Sequence, residues 1–418
     1  MTTVNDHALS ALSRRGADLV SASTMPEYLV EHFRRFGDPW HPDTNPDGYL
    51  GLCVAENRLV WDLLEPRVMA PRAVPSTAFG YDAMIGSEAF RTDLADFLWK
   101  RILGRRVSAD QLTVLAGAGS VLEILFYALA DPGDGVLIPT PSYAGFWLDL
   151  ETRDALRIVP VDCASDDGFR LTPEGLETAY QASPRPIKAL LYTNPDNPRG
   201  SVATADEIRA VLDWADSHQL HVVCDEIYAL SVFGERPFVS AACLRPSLGD
   251  RLHIVWAFSK DFAASGLRCG VLVSGNRALL AAVDSLSYWA CCSGDTQHLL
   301  GSLIRDEAWL ETYLSEMPRR LRRAYVDVTA ALDREQIPFV PSQAGFFLLL
   351  DLREFLAEPT FDAENALWRR LLEDGDVNLT PGAACRVAEP GFMRLCFAAN
   401  SSEAAVTAVG RLGRMLRS

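Results

Sequence analysis

Residues 189–228 read ALLYTNPDNPRGSVATADEIRAVLDWADSHQLHVVCDEIY. Ala189–Tyr192 and His221–Cys224 are short apolar runs, and Ala205–Ser217 between them is helix-like. The same alternation extends outward on both sides. Further strand-like runs are Leu112–Leu115, Gly135–Ile138, Arg157–Pro160, His253–Trp256 and Cys269–Val273. Helix-like stretches such as Glu88–Leu103, Ser120–Ala130 and Ala278–Ser285 lie between most of them. Strand–helix alternation argues for an α/β fold with a mostly parallel sheet covered on both faces. Seven runs predict seven strands, and runs this apolar are expected to be buried rather than to form a solvent-facing edge.

After about residue 300 the pattern changes. A long amphipathic helix over Asp306–Glu335 precedes the apolar run Gly345–Leu352, a helix near 364–374 and a strand near 392–397. Before the sheet lie a helix near 25–36 and a loop rich in Pro and Asp. The expected division is an N-terminal segment (1–60) that belongs to a smaller unit, a large α/β domain (61–304), and a C-terminal small α+β domain (305–418).

The 418 residues are 49% hydrophobic and 22% charged, an ordinary globular balance. The formal net charge of -16 disfavours a nucleic-acid partner, which would need a basic footprint. No apolar run reaches the roughly 18–20 residues that span a bilayer. The start MTTVNDHALSALSRRGADLV lacks a basic stretch followed by an apolar one, so no leader and a cytoplasmic location are expected. The nine cysteines include one adjacent pair, Cys291-Cys292, and no CxxC, which reads as reduced thiols. There is no HExxH and no Cys/His cluster with zinc spacing, so no metal is expected. Of the 39 Lys+Arg residues only Lys100, Lys188 and Lys260 are lysines. That bias is expected of a GC-rich bacterial genome, and it leaves three candidates for a catalytic lysine.

Chemistry-bearing residues cluster where strands end. Phe258-Ser259-Lys260-Asp261 follows His253–Trp256, with Arg268 eight residues beyond the lysine. Such a lysine can point into the crevice where ligands bind, although Ser-Lys alone is usually a solvated loop. Asp225 leaves another strand, with Tyr228 three residues on; by itself that acid reads as a helix N-cap. Thr193–Gly200 (TNPDNPRG), which contains Asn197, reads by itself as a turn. Ala116–Ser120 (AGAGS) joins a strand to a helix, and its small residues let backbone N–H groups approach an anion.

The order and spacing of these signals are specific. The series Gly119, Tyr143, Asn197, Asp225, Tyr228, Lys260, Arg268 resembles the fold-type I aminotransferase superfamily, which uses pyridoxal 5'-phosphate (PLP). Within it the chain is most similar to 1-aminocyclopropane-1-carboxylate (ACC) synthases. Four segments carry that likeness: Tyr49–Asn57 (YLGLCVAEN), Ala130–Tyr143 (ADPGDGVLIPTPSY), Val255–Asp261 (VWAFSKD) and Glu389–Ala398 (EPGFMRLCFA).

The resemblance implies roles. Lys260 would hold the cofactor covalently and move the Cα proton, a task suited to an amine whose pKa is lowered by burial. Asp225 would pair with the pyridinium nitrogen, and Asn197 and Tyr228 would bond the ring's phenolate oxygen. Tyr143 would stack on the ring. Ala118, Gly119, Ser120, Ser259 and Arg268 would cradle the phosphate. Arg394 would clamp the substrate α-carboxylate, and Glu56 would lie near the sulfonium of S-adenosylmethionine (SAM). The chain departs from the family at two places. Ala257 stands where a phosphate-binding serine is usual, and Met84 stands where a tyrosine reaches the partner subunit's cofactor, with Tyr81 nearby.

The resemblance therefore implies a homodimer with shared active sites. It implies removal of the SAM Cα proton and loss of methylthioadenosine from Cγ. Either ring closure to ACC or γ-replacement by a second co-substrate would follow. The two departures weigh against ring closure, and bacterial secondary metabolism is where C4 transfer would be expected. The alternative is an ordinary aminotransferase. A PLP-binding regulator would need a DNA-binding domain ahead of motifs that start by Leu50.

Overall fold

The structure is a computed structural model that describes residues 11–21 and 25–417. The first ten residues, on which the expectation of no leader partly rests, lie outside the described residues.

The large sheet has seven strands: β1 (Leu112–Leu115), β2 (Gly135–Thr140), β3 (Arg157–Asp162), β4 (Ile187–Thr193), β5 (His221–Asp225), β6 (Leu252–Ala257) and β7 (Gly270–Ser274). Their spatial order is β1-β7-β6-β5-β4-β2-β3. The pairs from β6 to β3 are parallel. Strand β7 is antiparallel to both β6 and β1. The link from β6 to β7 holds only a four-residue helix and a 3-10 turn, too little to carry the chain across a sheet face.

Central strands β6 and β7 are buried throughout, as their apolar runs predict. Strand β3 corrects that expectation. It is the sheet's edge, with only Val161 buried and Pro160 in its run. Proline is tolerated at an edge, where its missing N–H breaks no ladder.

The helix of the quoted stretch, α1 (Ala205–Ser217), is fixed by its sequence. The Thr204 hydroxyl accepts from the Glu207 N–H, and the Glu207 carboxylate accepts from the Thr204 N–H. This closes the first turn reciprocally. Ile208, Val211, Leu212 and Ala215 then repeat at helical spacing and are buried against the sheet.

A second sheet has four antiparallel strands, formed by Phe339–Val340, Phe347–Asp351, Thr380–Pro381 and Phe392–Cys396. Leu50–Gly51 pairs in parallel with Val377–Asn378, which joins the N-terminal segment to the C-terminal part. The long helix α2 (Glu307–Glu335) buries Leu310, Tyr313, Met317, Leu321, Ala324 and Val328 along one stripe. It meets the β6–β7 link through aromatic rings. Phe262 stacks on Tyr313 at 5.3 Å and 10°, and Trp309 stacks on Tyr313 at 5.0 Å. Such pairs add about 0.5–1.5 kcal/mol each beyond their buried area.

Candidate active site

Parallel strands β4, β5 and β6 end at one level. Thr193 lies beside Asp225, and Asp225 beside Val255. The segments leaving these ends bound a cavity of about 220 Å³ at the carboxyl edge of the sheet. This is where ligands enter sheets of this kind. Asn197, Asp225, Tyr228 and Lys260 line it, as do Ala118, Gly119, Tyr143, Ser259 and Arg268.

Asp225 is buried, and its carboxylate accepts the Ile227 N–H at 3.2 Å. Burial, with Asp149 as a further negative neighbour, pushes its carboxyl up to about 7. Such an acid favours a cation beside it. Tyr228 is wedged between Phe346 and Phe347, and its hydroxyl accepts from Asn197 Nδ2 at 3.2 Å.

Arg394 sits immediately behind Asn197. Its guanidinium donates to Asn197 Oδ1 at 2.9 Å, to the Cys53 carbonyl at 2.6 Å and to Thr380 Oγ1 at 3.0 Å. All three acceptors are neutral, and Nε has no partner although the side chain is buried. A buried cation so placed can take a carboxylate.

Lys260 projects from the short helix after β6, and its Nζ donates to the Ala55 carbonyl at 2.6 Å. Burial lowers its pKa to about 8, with the nearby Arg394 and Arg268 acting in the same direction. An amine near neutrality is a competent nucleophile and base.

The opposite end of the cavity suits an anion. Helix α3 (Ala118–Leu129) starts after Gly117, whose φ of 95° places its Cα against Arg268. A Cβ there would stand 2.2 Å from the guanidinium, so a larger residue would displace it. Free N–H groups of the first turn, Arg268 and the buried, unpartnered Ser259 hydroxyl converge here.

Three of the residues singled out from sequence stand apart. The Ser120 hydroxyl donates back to the Ala116 carbonyl at 3.2 Å and is not part of the cavity wall. Glu56 lines a neighbouring cavity and pairs with Arg58 at 3.5 Å, one residue from the carbonyl that holds Lys260. Met84 lines another, between residues 75–90 and 291–305, with Tyr81 beside it fully exposed. The site also contains groups not singled out from sequence. Asp149 lines the cofactor-sized cavity, the Ala55 carbonyl holds the lysine, and Cys53 and Thr380 hold Arg394. Asp149 is legible in principle, as an acid between Leu148 and Leu150 in the short helix FWLDLE just after Tyr143.

Comparison with known proteins gives the class. The family model for class I and II aminotransferases matches residues 49–412. The fold agrees with aspartate aminotransferase from Thermus thermophilus with maleate, at TM-score 0.79, 23% identity, and coverage of 97% of this chain and 99% of that one. It agrees equally with the aspartate aminotransferase from Rhizobium meliloti, at TM-score 0.80 and 23% identity over 97% and 98% of the two chains. The chain belongs to the class I and II aminotransferase family and has its fold-type I α/β architecture.

Its sequence relatives narrow the group. It is 34% identical to 1-aminocyclopropane-1-carboxylate synthase 6 of Arabidopsis thaliana over 393 residues, 90% of this chain and 79% of the relative. It is 35% identical to the 1-aminocyclopropane-1-carboxylate synthase of Nicotiana tabacum over 394 residues, 90% and 80% of the two chains. The protein is a PLP-dependent enzyme of the ACC synthase-like group.

The cavity fits that cofactor. An amine, a buried acid, an aromatic wall and an unpartnered hydroxyl beside an arginine match an aldehyde, a ring nitrogen, a ring face and a phosphate in turn. Lys100 pairs with Asp96 at 2.6 Å and Lys188 lies 3.9 Å from Asp134, both on the surface. Borohydride reduction of the PLP-loaded protein should therefore fix the cofactor on Lys260 alone. A peptide map with the label on Lys100 or Lys188 would refute this site.

Proposed function

We propose that the enzyme acts on SAM, removing the Cα proton and releasing methylthioadenosine from Cγ. The observation that carries an amino-acid substrate is Arg394, a buried cation with neutral partners and a free Nε beside the cavity. Likeness to ACC synthases supports SAM as that amino acid. The half-exposed carboxylate of Glu56 next to the lysine's anchor supports a sulfonium in reach.

Arg394 binds the α-carboxylate and so orients Cα. Lys260 would hold PLP until the substrate amine displaces its Nζ, and the freed amine would take the Cα proton. PLP, when bound, accepts the electron pair left at Cα. Asp225 pairs with the ring nitrogen, Asn197 and Tyr228 bind the phenolate oxygen, and Tyr143 covers the ring. Ala118, Gly119, the Ser120 N–H, Ser259 and Arg268 hold the phosphate. The Cγ–S bond breaks with its electrons on sulfur, which leaves as the neutral thioether. Bond formation from Cα to Cγ gives ACC. Loss of a Cβ proton with that cleavage, addition of a co-substrate nucleophile at Cγ and return of protons to Cβ and Cα would give γ-replacement. Ala257 and Met84 in place of the family's serine and tyrosine favour the second outcome and a role in natural-product biosynthesis.

We further propose a cytoplasmic homodimer that shares its active sites. Exposed Phe79, Tyr81, Tyr288 and Trp289 support it, and so does Met84 lying in a cavity flanked by residues 75–90 and 291–305. For the chain's organisation we retain the division 1–60, 61–304 and 305–418. Among the described residues no helix is long and apolar enough to cross a membrane.

Three measurements test this reading. Enzyme mixed with SAM alone should release methylthioadenosine. ACC as co-product selects ring closure, and turnover only with an added nucleophile selects replacement. If SAM does nothing while a common amino acid converts the cofactor to its pyridoxamine form, the protein is an ordinary aminotransferase. Arg394→Lys keeps the charge and loses the planar fork. One charge-assisted bond is worth roughly 1.5–3 kcal/mol, so kcat/KM should fall about ten- to a hundredfold. An unchanged value means that Arg394 is not the clamp. Sedimentation should give a dimer, and a fully active monomer would remove the shared site.

A further inference from the structure

The cavity holds a second acid that the proposed chemistry does not use. Asp149 lies on the short helix Phe146–Glu151, one turn and a half after Tyr143. It lines the same cavity as Asp225 and Lys260. Its Oδ1 stands 3.5 Å from the position a Cβ would take on Gly119, so it faces the start of α3. The charged and titratable groups facing it are Arg268 from the β6–β7 link, Glu123 on α3, Tyr143 and Asp225. Glu123 is already held by Arg153 at 2.9 Å.

We infer that Asp149 is a positioning residue: it sets the charge of Asp225, and so how firmly that carboxylate holds the cofactor's ring nitrogen. The inference rests on the pairing of Asp225 with that nitrogen. Two carboxylates in one partly dry cavity resist ionising together. Burial pushes Asp149 up to about 6 and Asp225 up to about 7, and the negative Asp149 adds to the rise at Asp225. Lys260, which faces Asp225, takes up a proton below about pH 8 and begins the loss of affinity, and below about pH 7 the cofactor must also displace a proton from Asp225. Removing the Asp149 charge lets Asp225 ionise at lower pH, and that acid limb moves down.

The test is the dissociation constant of PLP, read by absorbance without substrate from pH 5.5 to 8.5. Wild type should weaken below about pH 8, and more steeply below about pH 7. Asp149→Asn should shift the midpoint down by about half a unit or more, while Asp149→Glu keeps the wild-type midpoint. A merely structural role would weaken binding equally at every pH and would not be rescued by glutamate. An Asp149→Asn profile that overlays wild type overturns the inference. Asp149→Ser, a second uncharged variant, must give the same shift, so a folding defect in one variant does not decide the matter. Asp225→Asn separates the two levels. If it binds PLP like wild type, the assignment of Asp225 fails. If it loses PLP while Asp149→Asn leaves the profile unmoved, only the role of Asp149 fails.

Discussion

Arg394 is a full positive charge in the interior whose hydrogen bonds all go to neutral oxygens. Burying a cation costs several kcal/mol unless it is matched, and neutral acceptors offset only part of that. The side chain therefore stays in place only while three distant segments hold it together. Cys53 lies in the N-terminal segment, Thr380 on the small sheet and Asn197 at the end of β4. The same contacts set the geometry of Asn197, which positions the Tyr228 hydroxyl. One unmatched charge thus couples the placement of both sheets to the alignment of the site.

The rest of the cavity follows the same logic. Burial pushes the Lys260 amine down and the Asp225 carboxyl up, each toward its neutral form. The Ser259 hydroxyl is buried with no partner, and Arg268 is pressed against Gly117. Each group is poorly served by the protein alone. Together they are matched by one molecule with an aldehyde, a basic ring nitrogen and a phosphate. Local rules of polar satisfaction fail here because the site is built to be completed by a ligand.

The sequence is most legible where chemistry coincides with a strand end. Asp225, Asn197 and Lys260 each follow a short apolar run, so a residue type and a topological position reinforce one another. The capping box at Thr204 and the stripe of α2 are local patterns of the same kind. Long-range backbone contacts are not legible, because a carbonyl carries no residue type. Nothing in Tyr49–Asn57 indicates that the Cys53 and Ala55 carbonyls receive Arg394 and Lys260 from 341 and 205 residues away. The edge position of β3 was hidden for a related reason. Its run looks like a central strand apart from Pro160, the one residue that points to an edge, and the strand order places it at one end of the sheet. The place of Glu56, in the neighbouring cavity with Arg58 as its partner, is likewise set by the fold and carries no mark in the sequence.

The lysine turn combines a fixed base with a free tip. A helix of four residues has almost no stability of its own, so its position must come from contacts. Asp261, next to Lys260, supplies them. Its carboxylate accepts from Trp256 Nε1 at 2.8 Å, the Ser231 hydroxyl at 2.7 Å and the Leu230 N–H at 3.0 Å. Its carbonyl accepts from the Tyr313 hydroxyl on α2 at 3.0 Å. Burial pushes the Asp261 carboxyl up to about 7 even though these donors act against it by stabilising the charged form. Phe258 and Phe262 wedge the two ends of the turn into the aromatic cluster. The Lys260 side chain, by contrast, makes a single hydrogen bond, to a carbonyl that any competing donor could occupy. Four donors hold the turn through Asp261, while the Lys260 amine remains free to exchange partners. The double task proposed for Lys260, holding a cofactor and moving a proton at Cα, needs that combination.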